Sequence, residues 1–241
     1  MIQLRPFTWL MPYDVYERHK VVSTLLQATL SPQDEEFVIL DVGGRSELLK
    51  KFLPYPVLSV NPDGTGKICG DGLKLPFADN SFTAVVNIDT LEHLPADIRL
   101  PFIQECLRVS QKHLIIAAPY GSKGHIQLET ELNNLHKQIV GRPHHYLSEH
   151  VEHGLPSPEH LANFAQQLLP AISQFHYAGD YRWQGRSFAR AVQAHQQPRL
   201  LARLTNSYNQ ISGMALFHPI TLSTTPKPNS NRFYLSVTKS A

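Results

Sequence analysis

The stretch that most constrains this chain is FVILDVGGRSELLKKFL, residues 37–53. Its apolar opening, Phe37–Leu40, predicts a buried strand, and Asp41, Gly43 and Gly44 follow directly. Glycine accepts a positive φ and lets a ligand approach the backbone closely. Leucines and a phenylalanine then recur at helical spacing. The pattern predicts a strand, a glycine turn and a helix, whose free N–H groups suit a carboxylate or a phosphate.

Further strands alternate with helices along the first half of the chain. Strands are predicted at Val57–Val60, Ala84–Ile88 and Leu114–Ala118, and helices at Tyr13–Leu30 and Asp97–Ser110. Such alternation indicates parallel pairing with right-handed crossovers. Ligands on these sheets bind beyond the carboxyl ends of the strands, so the residues just after each strand are the candidate site.

The second half of the chain follows a different pattern. Helices are predicted at Gln127–Val140 and Pro158–Leu169, and the connection GRPHHYLSEHVEHG between them is long enough to cover the site. Beyond it the patterns predict a strand at Ile172–Tyr177, a mostly helical stretch at Phe188–Phe217 and a last strand at Phe233–Thr238. We therefore expect one domain over 1–241, with a core at 13–120, a helical lid at 121–170 and C-terminal sheet and helices at 171–241.

Composition indicates an ordinary globular protein of the cytoplasm. The chain has 241 residues, 42% of them apolar, and no run approaches the ~20 apolar residues of a membrane span. The first twenty residues mix charges and prolines and do not read as a signal peptide. Cys69 and Cys106 are the two cysteines, and we expect them to be reduced.

The charge is uneven along the chain. The net charge is +2, but eight Lys or Arg and one acid, Asp180, lie between His176 and Ala241. This basic part could contact an anionic partner or a membrane surface weakly, or simply form a solvated face, which we favour. Leucines interleave with Arg199 and Arg203, and we expect this apolar side to pack on the sheet. No motif predicts a specific nucleic-acid partner.

The most specific stretch is Gly70–Pro95, GDGLKLPFADNSFTAVVNIDTLEHLP, which leads through a helix to the strand HLIIAAP. Its order of elements and its segments LPF, DNSF and LEHLP resemble the class I S-adenosylmethionine-dependent methyltransferases of the broad small-molecule type. The resemblance covers 38–120 well and the flanks only by general shape. It implies a Rossmann-like three-layer α/β/α sandwich: a mostly parallel seven-stranded sheet with an antiparallel C-terminal strand, plus the helical lid.

The resemblance also implies a cofactor, S-adenosylmethionine, and a site for it. Asp71 would accept a hydrogen bond from the adenine amino group, with Gly72 and Leu73 beside the ring, and Asp89 and Thr90 would flank the methionine part. The cofactor carboxylate would lie near the amides of the glycine turn. The full set expected to bind the cofactor is Asp41, Gly43, Gly44, Asn61, Asp63, Asp71, Gly72, Leu73, Asp89 and Thr90.

The chain departs from the family pattern at two places. Arg45 and Glu47 stand where the family has its second and third glycines. Asn61 replaces the acid that holds the ribose hydroxyls, although an amide can still donate and accept, and Asp63 could reach the ribose instead. These departures predict either an adjusted site or a degenerate one, and we favour the adjusted site.

Three residues are candidates for catalysis: Glu92 and His93 after the fourth strand, and His144 in the lid after Pro143. Imidazole is a suitable base for a hydroxyl, although a packing role is also open. The pattern of Asp89, Glu92 and His93 also matches a few metal-dependent RNA methyltransferases, which would need a further ligand such as His125 or His136. Carboxylate and imidazole ligands suit Mg²⁺ or Mn²⁺ poorly to moderately, and we therefore expect no metal.

These patterns lead to one leading expectation and one alternative. The leading one is a methyltransferase acting on a small molecule or glycan, at oxygen, with its oligomeric state left open. The alternative is a non-catalytic methyltransferase-like binding or scaffold domain with a degenerate cofactor pocket.

Overall fold

One mixed sheet of seven strands forms the centre of the computed structural model, which describes residues 7–29, 38–44 and 48–239. Its strand order is β3-β2-β1-β4-β5-β7-β6. Strands β1 to β5 pair in parallel, and β7 runs antiparallel to both of its neighbours. The bounds are β1 Ile39–Val42, β2 Val57–Asn61, β3 Ile68–Cys69, β4 Phe82–Ile88, β5 Ser110–Pro119, β6 Ile172–Ala178 and β7 Arg232–Thr238.

Helices cover both faces of the sheet and its carboxyl edge. They are α1 Tyr13–Thr29, α2 Ala96–Val109, α3 Lys123–Val140, α4 His145–His153, α5 Pro158–Gln167, α6 Tyr181–Gln193 and α7 Arg199–Ser212. Local capping explains several starts: Ser122 accepts from the His125 N–H, and Asp180 accepts from the N–H groups of Arg182 and Trp183. Gly141, at φ 85°, ends α3 with the left-handed residue that glycine favours.

Two apolar cores lie on opposite faces of the sheet because successive strand residues point to opposite sides. On one face Leu40 and Val42 pack with Phe102 of α2 and Phe164 of α5. On the other, Ile39 packs with side chains of α1 such as Val22 and Leu26. The three-layer α/β/α fold, the mostly parallel sheet and the antiparallel C-terminal strand predicted from the sequence are confirmed.

The helix predicted after the glycine turn is wrong in the described residues, which form only a 3₁₀ turn at Leu48–Lys51. The reason is local: Pro54 follows three residues after Lys51, and the residue before a proline avoids the helical region. A four-residue turn has little dipole to offer an anion. The predictions for Arg45 and Glu47 lie outside the described residues.

The predicted lid gains one helix and the tail differs from its prediction. The long connection of the lid contains α4, and α3 packs against both α4 and α6. The expectation that the leucines beside Arg199 and Arg203 cover the sheet is wrong. Leu200 is 72% exposed and Leu204 is 60% exposed, because α7 packs on α6, which lies between it and the rest of the fold.

Candidate active site

A cavity of about 1050 Å³ opens at the carboxyl ends of β1, β2 and β4. The strand order reverses between β1 and β4, and open α/β sheets bind their ligands at such a switch point. Eleven of the sequence-predicted site residues line this cavity: Asp41, Gly43, Gly44, Asn61, Asp71, Gly72, Leu73, Asp89, Thr90, Glu92 and His93. The structure therefore brings together residues that four separate segments contribute.

The glycine turn packs tightly against the Asp41 carboxyl group and the Thr90 hydroxyl. Gly43 has φ 82°, and a Cβ there would lie 2.2 Å from Thr90 Oγ1. A Cβ on Gly44 would lie 2.1 Å from Asp41 Oδ2. Both positions thus require glycine. The Gly43 N–H already donates to Val60 O at 2.8 Å, so that amide is not open to the cofactor carboxylate expected there.

Asp41 is the buried acid of this turn. Its side chain is almost completely enclosed, and Oδ1 has no hydrogen-bond partner among the described residues. Burial raises the pKa of Asp41 to about 7, because a carboxylate loses its hydration there. Asp41 is therefore partly protonated at neutral pH and can accept a hydrogen bond from a cationic donor.

Asp89 joins two arginines that sequence reasoning did not assign to the site. It has φ 54°, a left-handed conformation that Asp tolerates better than most residues. Its two carboxylate oxygens form ion pairs with Arg18 of α1 and with the buried Arg232 of β7. All three side chains line the cavity. Arg18 Nε is buried without a hydrogen-bond partner in the described ranges.

The rim of the cavity near β2 and β3 carries the groups predicted to hold the nucleoside. Asp71 Oδ1 accepts from the Leu73 N–H at 2.9 Å, which shapes the loop around Gly72. Asn61 donates to Thr65 Oγ1 at 2.8 Å. Asp63 accepts from the N–H and hydroxyl of the same threonine, and it is not among the residues that line the cavity.

Glu92 is the second buried acid of the site. It lies in a 3₁₀ turn at Leu91–His93, is 2% exposed and has an Oε2 atom without a partner among the described residues. Burial raises the pKa of Glu92 to about 8, and the nearby Glu129 carboxylate acts in the same direction. The acid is thus largely protonated at neutral pH when nothing is bound to it.

His93 and the lid histidines meet above Glu92. His93 Nδ1 lies 2.7 Å from Glu149 Oε2, within ion-pair distance. Burial, together with the neighbouring His150, lowers the pKa of His93. His150 Nδ1 lies 3.1 Å from Glu129 Oε2, and His125 Nε2 lies 3.4 Å from Glu129 Oε1. Sequence reasoning assigned no role to Glu129 or Glu149, whose position opposite the strands depends on lid packing.

His144, the third catalytic candidate, is not among the residues that line the cavity. Its ring centroid lies 5.2 Å from the ring centroids of His136 and Phe188. Its backbone N–H donates to Asn133 Oδ1 at 2.9 Å. The structure places it between α3 and α6. The neighbouring His145, Tyr146 and His150 reach the cavity instead.

Helix α6 supplies a wall that the sequence did not indicate. Tyr181, Trp183 and Phe188 line the cavity, and the Tyr181 ring stacks on His125 at 4.8 Å. A Cβ on Gly185 would lie 2.6 Å from Leu128 Cδ2, so this glycine lets α6 approach α3. The sequence signal that could have indicated this wall is the aromatic segment that follows the N-cap residue Asp180.

Comparison with known proteins finds a family model that matches part of the core. Residues 50–116 match the family model of a methyltransferase domain, and no curated protein matches. No helix in the described ranges has the length and apolar character needed to cross a membrane.

Solved structures share the fold at low identity. A Thermotoga maritima S-adenosylmethionine-dependent methyltransferase, provisionally assigned as a histamine N-methyltransferase, is 12% identical with a TM-score of 0.55, covering 94% of this chain and 91% of its own. A Galdieria sulphuraria protein, provisionally assigned as a sarcosine dimethylglycine methyltransferase, is 14% identical with a TM-score of 0.52, covering 93% and 86%.

A third neighbour was solved with the cofactor. It is a geranyl diphosphate methyltransferase in complex with S-adenosylmethionine, 10% identical with a TM-score of 0.50, covering 92% of this chain and 85% of its own. The family match supports the same cofactor here. The methyltransferase-domain match, together with this fold, confirms the resemblance predicted from the sequence, which is to the class I S-adenosylmethionine-dependent methyltransferases.

Proposed function

We propose that this chain is an S-adenosylmethionine-dependent methyltransferase that methylates a hydroxyl group of a small molecule or glycan in the cytoplasm. One observation carries the proposal: nine of the ten residues predicted to hold the cofactor line one cavity at the β1–β4 switch point. That cavity, about 1050 Å³, is at the upper end of the roughly 300–1,000 Å³ usual for ligand pockets, which leaves room for an acceptor beside the cofactor.

The charged groups of the cavity fit the amino-acid end of the cofactor. The unpartnered, buried Oδ1 of Asp41 suits an α-ammonium group, and the unpartnered Nε of Arg18 suits an α-carboxylate. Gly43 and Gly44 keep this end clear, because a side chain at either position would collide with Thr90 or Asp41. We therefore assign the cofactor carboxylate to Arg18 rather than to the amides of the glycine turn.

The nucleoside end fits the opposite rim. We assign the adenine to the loop of Asp71, Gly72 and Leu73, where Phe102 closes the base of the cavity. The second oxygen of the Asp71 side chain, Oδ2, can accept from the adenine amino group, since Oδ1 accepts from the Leu73 N–H. Asn61 lies between this loop and the glycine turn, at the position expected for the ribose.

The acceptor is assigned to the end of the cavity beneath the lid. The bound cofactor supplies the methyl group on its sulfonium. This chain positions the acceptor and handles its proton. Burial lowers the pKa of His93, which favours the neutral imidazole that can take a proton. Proton-accepting groups at this end support a hydroxyl acceptor. The enclosure by α3, α4 and α6 supports a small acceptor rather than a macromolecular surface.

The cytoplasmic part of the proposal depends on the cysteines. Cys69 is exposed and Cys106 is buried, and both are free thiols. Free thiols are typical of a reducing compartment.

The alternative, a non-catalytic binding domain, is favoured by two observations. The Gly43 N–H is already used by Val60, and Asn61 stands where the family has an acid. Calorimetric titration of the purified chain with S-adenosylmethionine and with its demethylated product tests the proposal. No binding at millimolar cofactor would overturn it. Tight binding without methylation of any hydroxyl compound in a metabolite extract, read by mass spectrometry, would favour the binding domain.

A further inference from the structure

Glu92, His93 and His150 converge at the acceptor end of the cavity. Each offers one ligand atom, and these atoms all lie within 4.8 Å of one another. Two of the residues come from the turn after β4, and the third comes from α4 in the lid. The cluster therefore exists only where the lid helix meets the sheet edge.

The cluster has buried polar atoms that the rest of the described chain leaves without hydrogen bonds. They are Glu92 Oε2 and His150 Nε2. Buried polar atoms are normally paired, and an unpaired buried acid is especially costly. Two unpaired atoms in one cluster indicate that a cation belongs between them.

Both histidines have a carboxylate behind them. Glu129 lies 3.1 Å from His150 Nδ1, which leaves His150 Nε2 directed to the cluster. Glu149 Oε2 lies 2.7 Å from His93 Nδ1, so Nε2 is the His93 nitrogen available to an ion. Metal-binding histidines usually make this contact with their second nitrogen, because it fixes the tautomer and the ring orientation.

We propose that Glu92, His93 and His150 bind one divalent first-row transition-metal ion at the acceptor end of the cavity. Two imidazoles and one carboxylate are the donor set of catalytic sites that keep positions open for a substrate. Ligand atoms about 2.1 Å from a tetrahedral ion are about 3.4 Å apart, so atoms that lie within 4.8 Å of one another need to approach by at most about 1.4 Å. The sequence indicated His125 or His136 as the further ligand, and the structure assigns His150 instead.

The ion would serve the acceptor. An acceptor hydroxyl that binds a divalent cation has a lowered pKa, which is the condition that methylation at oxygen requires. With the ion present, Glu92 and His93 act as its ligands, and His93 no longer acts as the base. This role depends on the proposed function, whereas binding of the ion does not.

Metal binding to the purified full-length chain tests the proposal directly. The metal-free protein is titrated with Co²⁺, whose visible absorption reports bound imidazole and carboxylate, and then with Zn²⁺ as a competitor. The variants are Glu92→Gln, His150→Gln and Glu129→Gln. His136→Gln is the matched control, since it removes a lid histidine that is not among the cavity-lining residues. Circular dichroism and melting temperature show that each variant is folded.

The expected result is one Co²⁺ per chain, displaced by Zn²⁺. Glu92→Gln and His150→Gln should lose at least 100-fold in affinity, and Glu129→Gln should lose on the order of 10–100-fold. His136→Gln should bind as the wild type does. Absence of binding, or equal affinity in all four variants, overturns the proposal. Cofactor titration of the same samples is an independent measurement. Cofactor binding without metal binding overturns the metal site and leaves the proposed function standing. Metal binding without cofactor binding supports the metal site and overturns the proposed function.

Discussion

Arg232, the first residue of β7, forms a partly buried ion pair with Asp89, which follows β4 and lies 143 positions earlier in the chain. Arg18 of α1 pairs with the other oxygen of the same carboxylate. The pair connects β7 to the segment after β4 that contains Thr90, Glu92 and His93. Asp89 therefore has a structural task at the cavity wall besides its predicted contact with the methionine part of the cofactor.

Replacing Asp89 with Asn should destabilise the protein strongly. Asn tolerates the positive φ of this position, so the change removes the charge and leaves two arginines close together, one of them buried. We expect a loss of about 3–5 kcal/mol in the free energy of unfolding, measured by urea denaturation. Asp79→Asn is the control: its pair with Arg108 is exposed and screened by solvent, so its loss should change the free energy of unfolding little. Equal losses in the two variants would contradict this assignment.

A side chain at Gly43 should lower the affinity for the cofactor at least tenfold. Gly43→Ala adds a methyl group at φ 82° and within 2.2 Å of Thr90 Oγ1, which forces the turn into the cavity. Gly64→Ala is a matched control: its φ is 77° but open space surrounds it. Both should lose about 1–2 kcal/mol of stability through backbone strain. Only Gly43→Ala, and more strongly Gly43→Val, should lose tenfold or more in cofactor affinity by calorimetry.

The comparison of these variants distinguishes backbone strain from loss of a contact between the glycine turn and the cofactor. If Gly43→Val folds and binds S-adenosylmethionine as the wild type does, the cofactor does not use this turn, and the site assignment fails. If both alanine variants lose affinity equally, the effect arises from general destabilisation.

Asp41 predicts a specific dependence of stability on pH. Its pKa is about 7 in the folded chain against an ordinary 3.8, so the folded state holds the proton more tightly than the unfolded state. Stability contributed by the protonated acid is complete below pH 4 and is lost as the pH rises through 7. Relative to Asp41→Asn, the wild type should lose on the order of 4 kcal/mol between pH 4 and 8. Parallel profiles in urea denaturation would show that Asp41 ionises normally.

Asp71→Ala should weaken the cofactor through its adenine. The variant loses a hydrogen bond in a partly dry pocket, about 1–3 kcal/mol, or roughly 5–150-fold in affinity. Asp63→Ala removes a similar turn acid that does not line the cavity, and it should bind the cofactor normally. Calorimetry on both variants checks the difference, and an affinity of Asp71→Ala within twofold of the wild type would place the adenine elsewhere.

Local patterns determined the fold and the edge of the sheet where the site lies. Apolar runs such as those around Leu40, Val85 and Ile116 mark buried strands, because a strand buried on both faces needs no polar alternation. Turn residues directly after them, including Gly43, Asp71 and Asp89, must then meet at one edge, since parallel strands end on the same side. The cofactor assignment depends on these short-range signals.

What only the tertiary structure decided is the set of partners that arrive from far along the chain. Arg232 against Asp89, His150 above Glu92, and Glu129 behind His150 depend on how β7 and the lid helices pack on the sheet. The same holds for α7, whose leucines remain exposed because α6 already occupies the position next to α3. Sequence periodicity states which face of a helix is apolar, but it carries no information about which neighbour that face meets, because packing among distant elements selects it.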